Sequence, residues 1–520
     1  MKNQKASGFL LSLVVLLGFT GAPHAVGQDS DKTFSLSIYE RTLPVATGPD
    51  RGIDSSFLLY SKKFSKEMQN PLTGKMNQST YYYSPGTCTD SLDVNCKANP
   101  YGGVLFLDLC NNGAIIFCVE GVTYNSKPLT FEMFTSNVQM KSNASTGFPG
   151  GRSVSIWRSA NGERFALFPM LALGGDSSGI RYNYFTVSLE KVTFTDAEAH
   201  RIPWSITKNS DNLDNVSFPT FGTTREDCFE YLNSGRCIER SHQLTGTFSV
   251  SLHVAHNSVK WVTGRLTDAQ IKVTTVDNST DLISVVGKPS SVTEAQIKLD
   301  AEQTDKYWTE QTRGLANPTQ PSWPLNFELD NELALYNYYM VTKFGEPVPR
   351  NTKDIWKFGS TLVSETQCFR PEVGYSGFAM TNALIHTNLN PTILNGNFEY
   401  QISAPHLNQF GEENIGIYQL EMSNQLARCL YHLSNAPIQA SVVVTDDNGN
   451  RKVATTTVNQ NSEKIFIEAR NFTFSSPIIK VKITQATSPK KEISINCYKG
   501  KTVKTVKGAN PKCPAGYKTR

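Results

Sequence analysis

Phe248-Ser249-Val250-Ser251-Leu252-His253-Val254 is the stretch on which the fold turns. Apolar side chains alternate one by one with small or polar ones, and in an extended chain successive side chains point to opposite faces. Such a strand buries one face and leaves the other toward water, as antiparallel sheets do. The same period runs through Phe185, Val187 and Leu189, separated by Thr186, Ser188 and Glu190. Apolar runs at 104–107 and 114–117 flank Asn111-Asn112-Gly113, which predicts a hairpin. A second hairpin is expected where 441–444 leads through Asp446-Asp447-Asn448-Gly449-Asn450 into 452–458. Strands of this kind pack face to face. The expected fold is mostly β, with tandem antiparallel β-sandwich-like domains and a short helical and Pro-rich connector.

A chain of 520 residues is too long for one ordinary core. With 39% hydrophobic and 18% charged residues, neither a polytopic membrane protein nor a disordered chain fits. Composition shifts divide it into an N-terminal β domain at 28–200, a second β domain or extension at 201–290, a connector at 291–350, a C-terminal sandwich at 351–485 and a basic tail at 486–520. In the connector, Thr293 and Gln296 match a capping box, predicting a helix to about Gln311 with a stripe of Ile297, Ala301 and Trp308. Pro318, Pro321 and Pro324 come next, and a second helix is expected after Asp330, stopped by Gly345 and Pro347.

The first 27 residues read as a secretory signal peptide: Lys2 and Lys5, an apolar run from Phe9 to Leu17, then Ala25-Val26-Gly27. No later segment is apolar enough to span a bilayer, so the expectation is a secreted or extracellular protein with no transmembrane segment after cleavage. Charge is unevenly spread. The chain totals +4, yet residues 490–520 alone carry nine bases against Glu492. A basic tail on an acidic body points to a polyanionic partner, and outside a cell that is an anionic cell-wall polymer or glycan rather than nucleic acid. The tail residues expected to bind it are Lys499, Lys501, Lys504, Lys507, Lys512 and Lys518.

Ten cysteines, none in a C-x-x-C pair, disfavour zinc ribbons and thioredoxin-like chemistry. In an exported chain they read as disulfides. Sequence order suggests Cys228 with Cys237, Cys368 with Cys429, and Cys497 with Cys513. Among Cys88, Cys96, Cys110 and Cys118 three pairings stay open.

Catalytic strings fail on their own requirements. Gly175-Asp176-Ser177-Ser178-Gly179 satisfies G-x-S-x-G, but that serine needs a strand-to-helix turn, and residues 180–191 alternate like a strand. A chymotrypsin-like order needs a histidine upstream, and His24 is in the leader. His253 and His256, three apart on a strand, face opposite ways. His386, His406 and His432 read as ordinary polar residues. Asp446, Asn448 and Asn450 start like a calcium loop, but Arg451 stands where that loop needs glycine. No catalytic, cofactor or metal residue is assigned, and no cofactor is expected. Tyr81-Tyr82-Tyr83 and the six tryptophans could stack on sugars, although such residues are more often core.

The segment Cys497-Tyr498-Lys499-Gly500-Lys501, with Asn510-Pro511-Lys512-Cys513-Pro514-Ala515-Gly516-Tyr517-Lys518 after it, resembles a C-terminal segment of exported actinobacterial proteins. The rest resembles a set of uncharacterised secreted proteins of the same group. It does so through Cys118-Val119-Glu120-Gly121-Val122, Gly264-Arg265-Leu266, Trp356-Lys357-Phe358, Thr381-Asn382-Ala383, Ala427-Arg428-Cys429-Leu430-Tyr431 and Phe474-Ser475-Ser476-Pro477. The resemblance implies export from a Gram-positive cell and carries no catalytic residue. The combined expectation is a secreted or envelope-associated, non-enzymatic binding protein retained by its tail. The alternative is a secreted hydrolase of polysaccharide.

Overall fold

The computed structural model describes residues 92–519 with breaks, the longest at 304–346. Before them it describes the backbone of three strands, Phe34–Ile38, Leu58–Gln69 and Met76–Cys88. Of residues 196–237 only backbone is described. The expected signal peptide, the prolines at 318–324, the helix after Asp330, the side chains of Tyr81-Tyr82-Tyr83 and the turn at 446–450 lie outside the described residues.

The chain is mostly β, with short helices at Val94–Ala98 and Asn424–Leu430. The alternating stretch at 248–254 lies in the strand Phe248–Ala255, in which Phe248, Val250, Leu252 and Val254 are buried and their neighbours half-buried. Three long strands carry the architecture: Trp261–Thr275, Thr280–Leu299 and Val348–Thr361. Each passes from one sheet to another along its length. Residues 262–265 pair with Val348–Thr361, while 266–275 pair with Thr280–Leu299. The Thr280–Leu299 strand in turn pairs with Phe248–Ala255 over its first half and with Val348–Thr361 over its second. The last six residues of Val348–Thr361 then lie along Gly179–Glu198. The described strand ladders are antiparallel except that of Trp261–Thr275 with Gly377–Thr381, and one isolated bridge, Leu109 with Val119, is also parallel.

This sharing puts apolar cores on opposite faces of one sheet. Trp356, Phe358, Val262 and Met380 join Phe185, Phe248 and Leu252 in one core. Their sequence neighbours Ile355, Trp261 and Ala379 join Tyr418, Leu420 and Ile479 in the other. Period-two geometry does the sorting, since adjacent residues of a strand must face apart. The second core is closed by a smaller sheet in which Ile478–Gln485 lies between Asn397–Ser403 and Ile438–Thr445. The packing is therefore sandwich-like, with hydrogen-bonded ladders that run across positions 290 and 350. At the shared wall Gly264 sits against Phe358, and a Cβ there would lie 2.2 Å from the Lys357 carbonyl oxygen, so the strands close tightly only because no side chain intervenes.

Three expectations are corrected. The capping-box pair Thr293 and Gln296 lies inside the strand Thr280–Leu299, with Thr293 opposite Thr352 and Gln296 opposite Ser37. Ladders on both sides outweigh the local helix signal, and Glu294 falls at a bulge where Lys353 meets its carboxylate at 2.7 Å. Among the described residues, the strands on either side of Asn111-Asn112-Gly113 do not pair as a hairpin: Tyr101–Phe106 pairs with Arg164–Asp176, whereas Cys118–Tyr124 pairs with Phe248–Ala255. Among the described residues, the two arms expected at 441–444 and 452–458 do not form a ladder with each other. Ile438–Thr445 pairs with Ile478–Gln485, and Thr455–Gln460 pairs with Lys464–Thr473, leaving one bridge between Thr445 and Arg451. In both cases the described flanking strands pair with strands distant in sequence and not with each other.

Candidate functional site: a lysine-bearing C-terminal sheet

The tail folds as a three-stranded antiparallel sheet. Ile493–Lys499 is its middle strand, between Thr502–Gly508 and the short Lys518–Thr519. Lys499-Gly500-Lys501-Thr502 makes the first turn with two central residues, and Gly500 has φ 60°. A positive φ at the first central position is the requirement glycine meets in a hairpin turn. The return to the third strand passes a second turn, in which the Tyr517 amide donates to the Pro514 carbonyl at 3.0 Å and Gly516 takes φ 82°. Cys497 is fully buried and bonded to Cys513, so the returning arm is tied to the middle strand.

Register places the cations. Lys504 lies opposite Cys497, and cross-strand partners share a face, so Lys504 and Lys499 sit on the bridge side. Lys507 opposite Ser494, and Lys518 opposite Tyr498, sit on the other side. Lys501 is at the hairpin tip and Lys512 precedes the bridged Cys513. All six are exposed, and none is in an ion pair among the described residues. The tail lysines are therefore distributed around a sheet, which offers positive charge on both faces.

The expected disulfides are partly present among the described cysteines. Cys368–Cys429 and Cys497–Cys513 are bridged as sequence order suggested. Cys110 bonds Cys118, one of the pairings left open, and Cys96 is itself disulfide-bonded. The side chains of Cys88, Cys228 and Cys237 lie outside the described residues.

Other candidate chemistry resolves into structure. Gly175–Gly179 is the turn between the strands Arg164–Asp176 and Gly179–Glu198. There the Ser178 hydroxyl and amide both donate to Asp176 and hold its carboxyl below the usual range. Cys110, Cys118 and His253 have donor atoms within 4.8 Å of one another, but both sulfurs are committed to the disulfide. His386 pairs with the Tyr400 hydroxyl at 2.7 Å, and His406 with the Phe474 carbonyl at 3.1 Å.

His256 faces Asp281 at 2.8 Å, and the Asn257 amide donates to the same carboxylate at 2.8 Å. Burial pushes the Asp281 carboxyl up, but these hydrogen bonds and one from Thr275 outweigh it, so its pKa falls below the ordinary value. A depressed carboxyl stabilises the fold above its unfolded pKa of about 4 and loses that contribution as pH falls through the folded value. Asp281→Asn is expected to cost about 1–2 kcal/mol at pH 7. Urea unfolding should show the gap to the parent narrowing toward pH 3; a gap independent of pH would mean that charge is not the cause.

Among the described residues no helix is long and apolar enough to cross a membrane. No family model, no curated protein and no solved structure matches the chain.

Proposed function

We propose that this is an exported, non-enzymatic binding protein whose lysine-bearing sheet holds it on an anionic cell-envelope polymer. The observation that carries the reading is six exposed lysines on a disulfide-tied sheet with no ion-pair partner among the described residues. Folded strands fix where the charges are, so less conformational freedom is lost on binding than from a floppy basic tail. The disulfides fit an oxidising location, and the scattered likeness to exported actinobacterial proteins agrees with it. The alternation of lysines over two faces suits a flexible polymer that wraps, and needs no defined pocket.

The test compares the full chain, a chain ending at residue 489, and a sixfold Lys→Gln variant at 499, 501, 504, 507, 512 and 518. Each is measured on isolated Gram-positive cell walls and on soluble poly(glycerol phosphate). With roughly 1 kcal/mol per lysine near an anionic surface as the upper limit, affinity should fall by about 100-fold or more. Retention by the parent should decline steeply between about 0.05 and 0.5 M salt, as the screening length shrinks. Equal retention of all three proteins would end the proposal.

A further inference from the structure

A cleft of about 320 Å³ lies on the body, away from the tail sequence. Its floor is one face of the paired strands Thr280–Leu299 and Val348–Thr361, where Thr293 stands opposite Thr352 and Ser291 opposite Asp354. Hydrogen bonds across the ladder fix these groups: the two threonine hydroxyls are 3.1 Å apart, and Ser291 donates to Asp354 at 2.7 Å. The wall is the loop 406–415. Asn408 organises that loop, its side-chain oxygen accepting from the amides of Phe410 and Glu412 at 2.9 and 3.0 Å, with Gly411 at φ 79°. The Thr352 amide donates to Gln409 at 3.0 Å and fastens loop to floor.

This rigid loop presents Phe410, 74% exposed, at the rim of the cleft. At the edge of a polar cleft its ring offers a flat apolar face that a bound ligand can cover. Beside it Glu412 and Glu413 contribute carboxylates, and that of Glu413 has no partner among the described residues. The lining is rich in acceptors, so its complement must be rich in donors. A polyanion fails on charge. A neutral sugar meets each requirement: its C–H face lies on an aromatic ring, its hydroxyls donate to the carboxylates and to the hydroxyl oxygens of Ser291 and the threonines, and about two pyranose rings fill a volume of this size.

We propose that this cleft binds a neutral oligosaccharide, independently of the tail. Glu412 is tied to the Asn408 amide at 3.0 Å, and the role assigned to the cleft is binding, with no cleavage step. The experiment is calorimetric titration of the full chain with maltotriose, cellotriose, xylotriose and chitotriose in 0.5 M salt, where tail electrostatics are screened. At least one is expected to bind. Phe410→Ala should weaken that binding by about tenfold, the size of one aromatic contact, and Glu413→Gln should weaken it less. Both residues are exposed, so circular dichroism and melting should match the parent. The full-length sixfold Lys→Gln variant should bind the sugar as tightly as the parent, which separates this site from the envelope-binding reading. Failure of all four sugars, equal affinity of Phe410→Ala, release of shorter sugars on incubation, or binding only of a lysine-rich peptide would each overturn it.

Discussion

Trp356→Ala is expected to lower the unfolding free energy by about 3–5 kcal/mol, the range for truncating a buried aromatic. Trp356 is fully buried, with ring centroids 5.5 Å from Phe358 and 6.5 Å from Phe248, both edge-on. Its indole N–H donates to the Gly287 carbonyl at 3.0 Å. Truncation therefore leaves a cavity and an orphaned acceptor together, in the strand that forms the wall between two cores. Collapse around the hole is resisted because Ile355, the adjacent residue, is packed into the opposite core. Trp356→Phe should cost clearly less, since it keeps most of the volume and loses only the donor. Urea unfolding is the measurement; a loss under about 1 kcal/mol for the alanine variant would show that the wall is not the rigid element described.

Replacing Cys368 and Cys429 together by serine should cost about 4 kcal/mol, from the loop entropy that a bridge across 61 residues removes from the unfolded chain. The equivalent figure for Cys110 and Cys118, eight apart, is about 2.5 kcal/mol. The longer bridge also anchors the helix Asn424–Leu430, whose N-terminus is capped by Ser423 accepting from the Leu426 amide at 3.1 Å. Leu426 and Ala427 on that helix are buried in the second core. Chemical denaturation of the two double variants should rank the 368–429 pair as the costlier loss. The reverse order would point to native-state packing around the sulfurs, and away from the unfolded chain, as the origin of the effect.

Much of the fold could be read from neighbouring residues. The Phe248 strand announced its buried face through its alternation. The misread elements share one cause. At 111–113 and 446–450 the turn residues were visible, but which strand each flank pairs with depends on residues more than a hundred positions away in one case and about forty in the other. The Thr293 capping box is a local preference that two ladders override. The cleft had no sequence signal at all: Ser291, Thr352 and Phe410 belong to segments that are unremarkable until strand pairing and Gln409 bring them together.

By itself the amino-acid order determined the β character, the bridges Cys368–Cys429 and Cys497–Cys513, and the concentration of lysine at the C-terminal end, because period, cysteine order and net charge can be read along the chain. Only the tertiary structure decided that one sheet serves cores on both faces, that the lysines divide between two sides of a small sheet, and that a polar cleft carries a bare phenylalanine at its rim. Those outcomes arise from long-range register, which is set where the burial of whole faces, summed over many residues, exceeds any local preference.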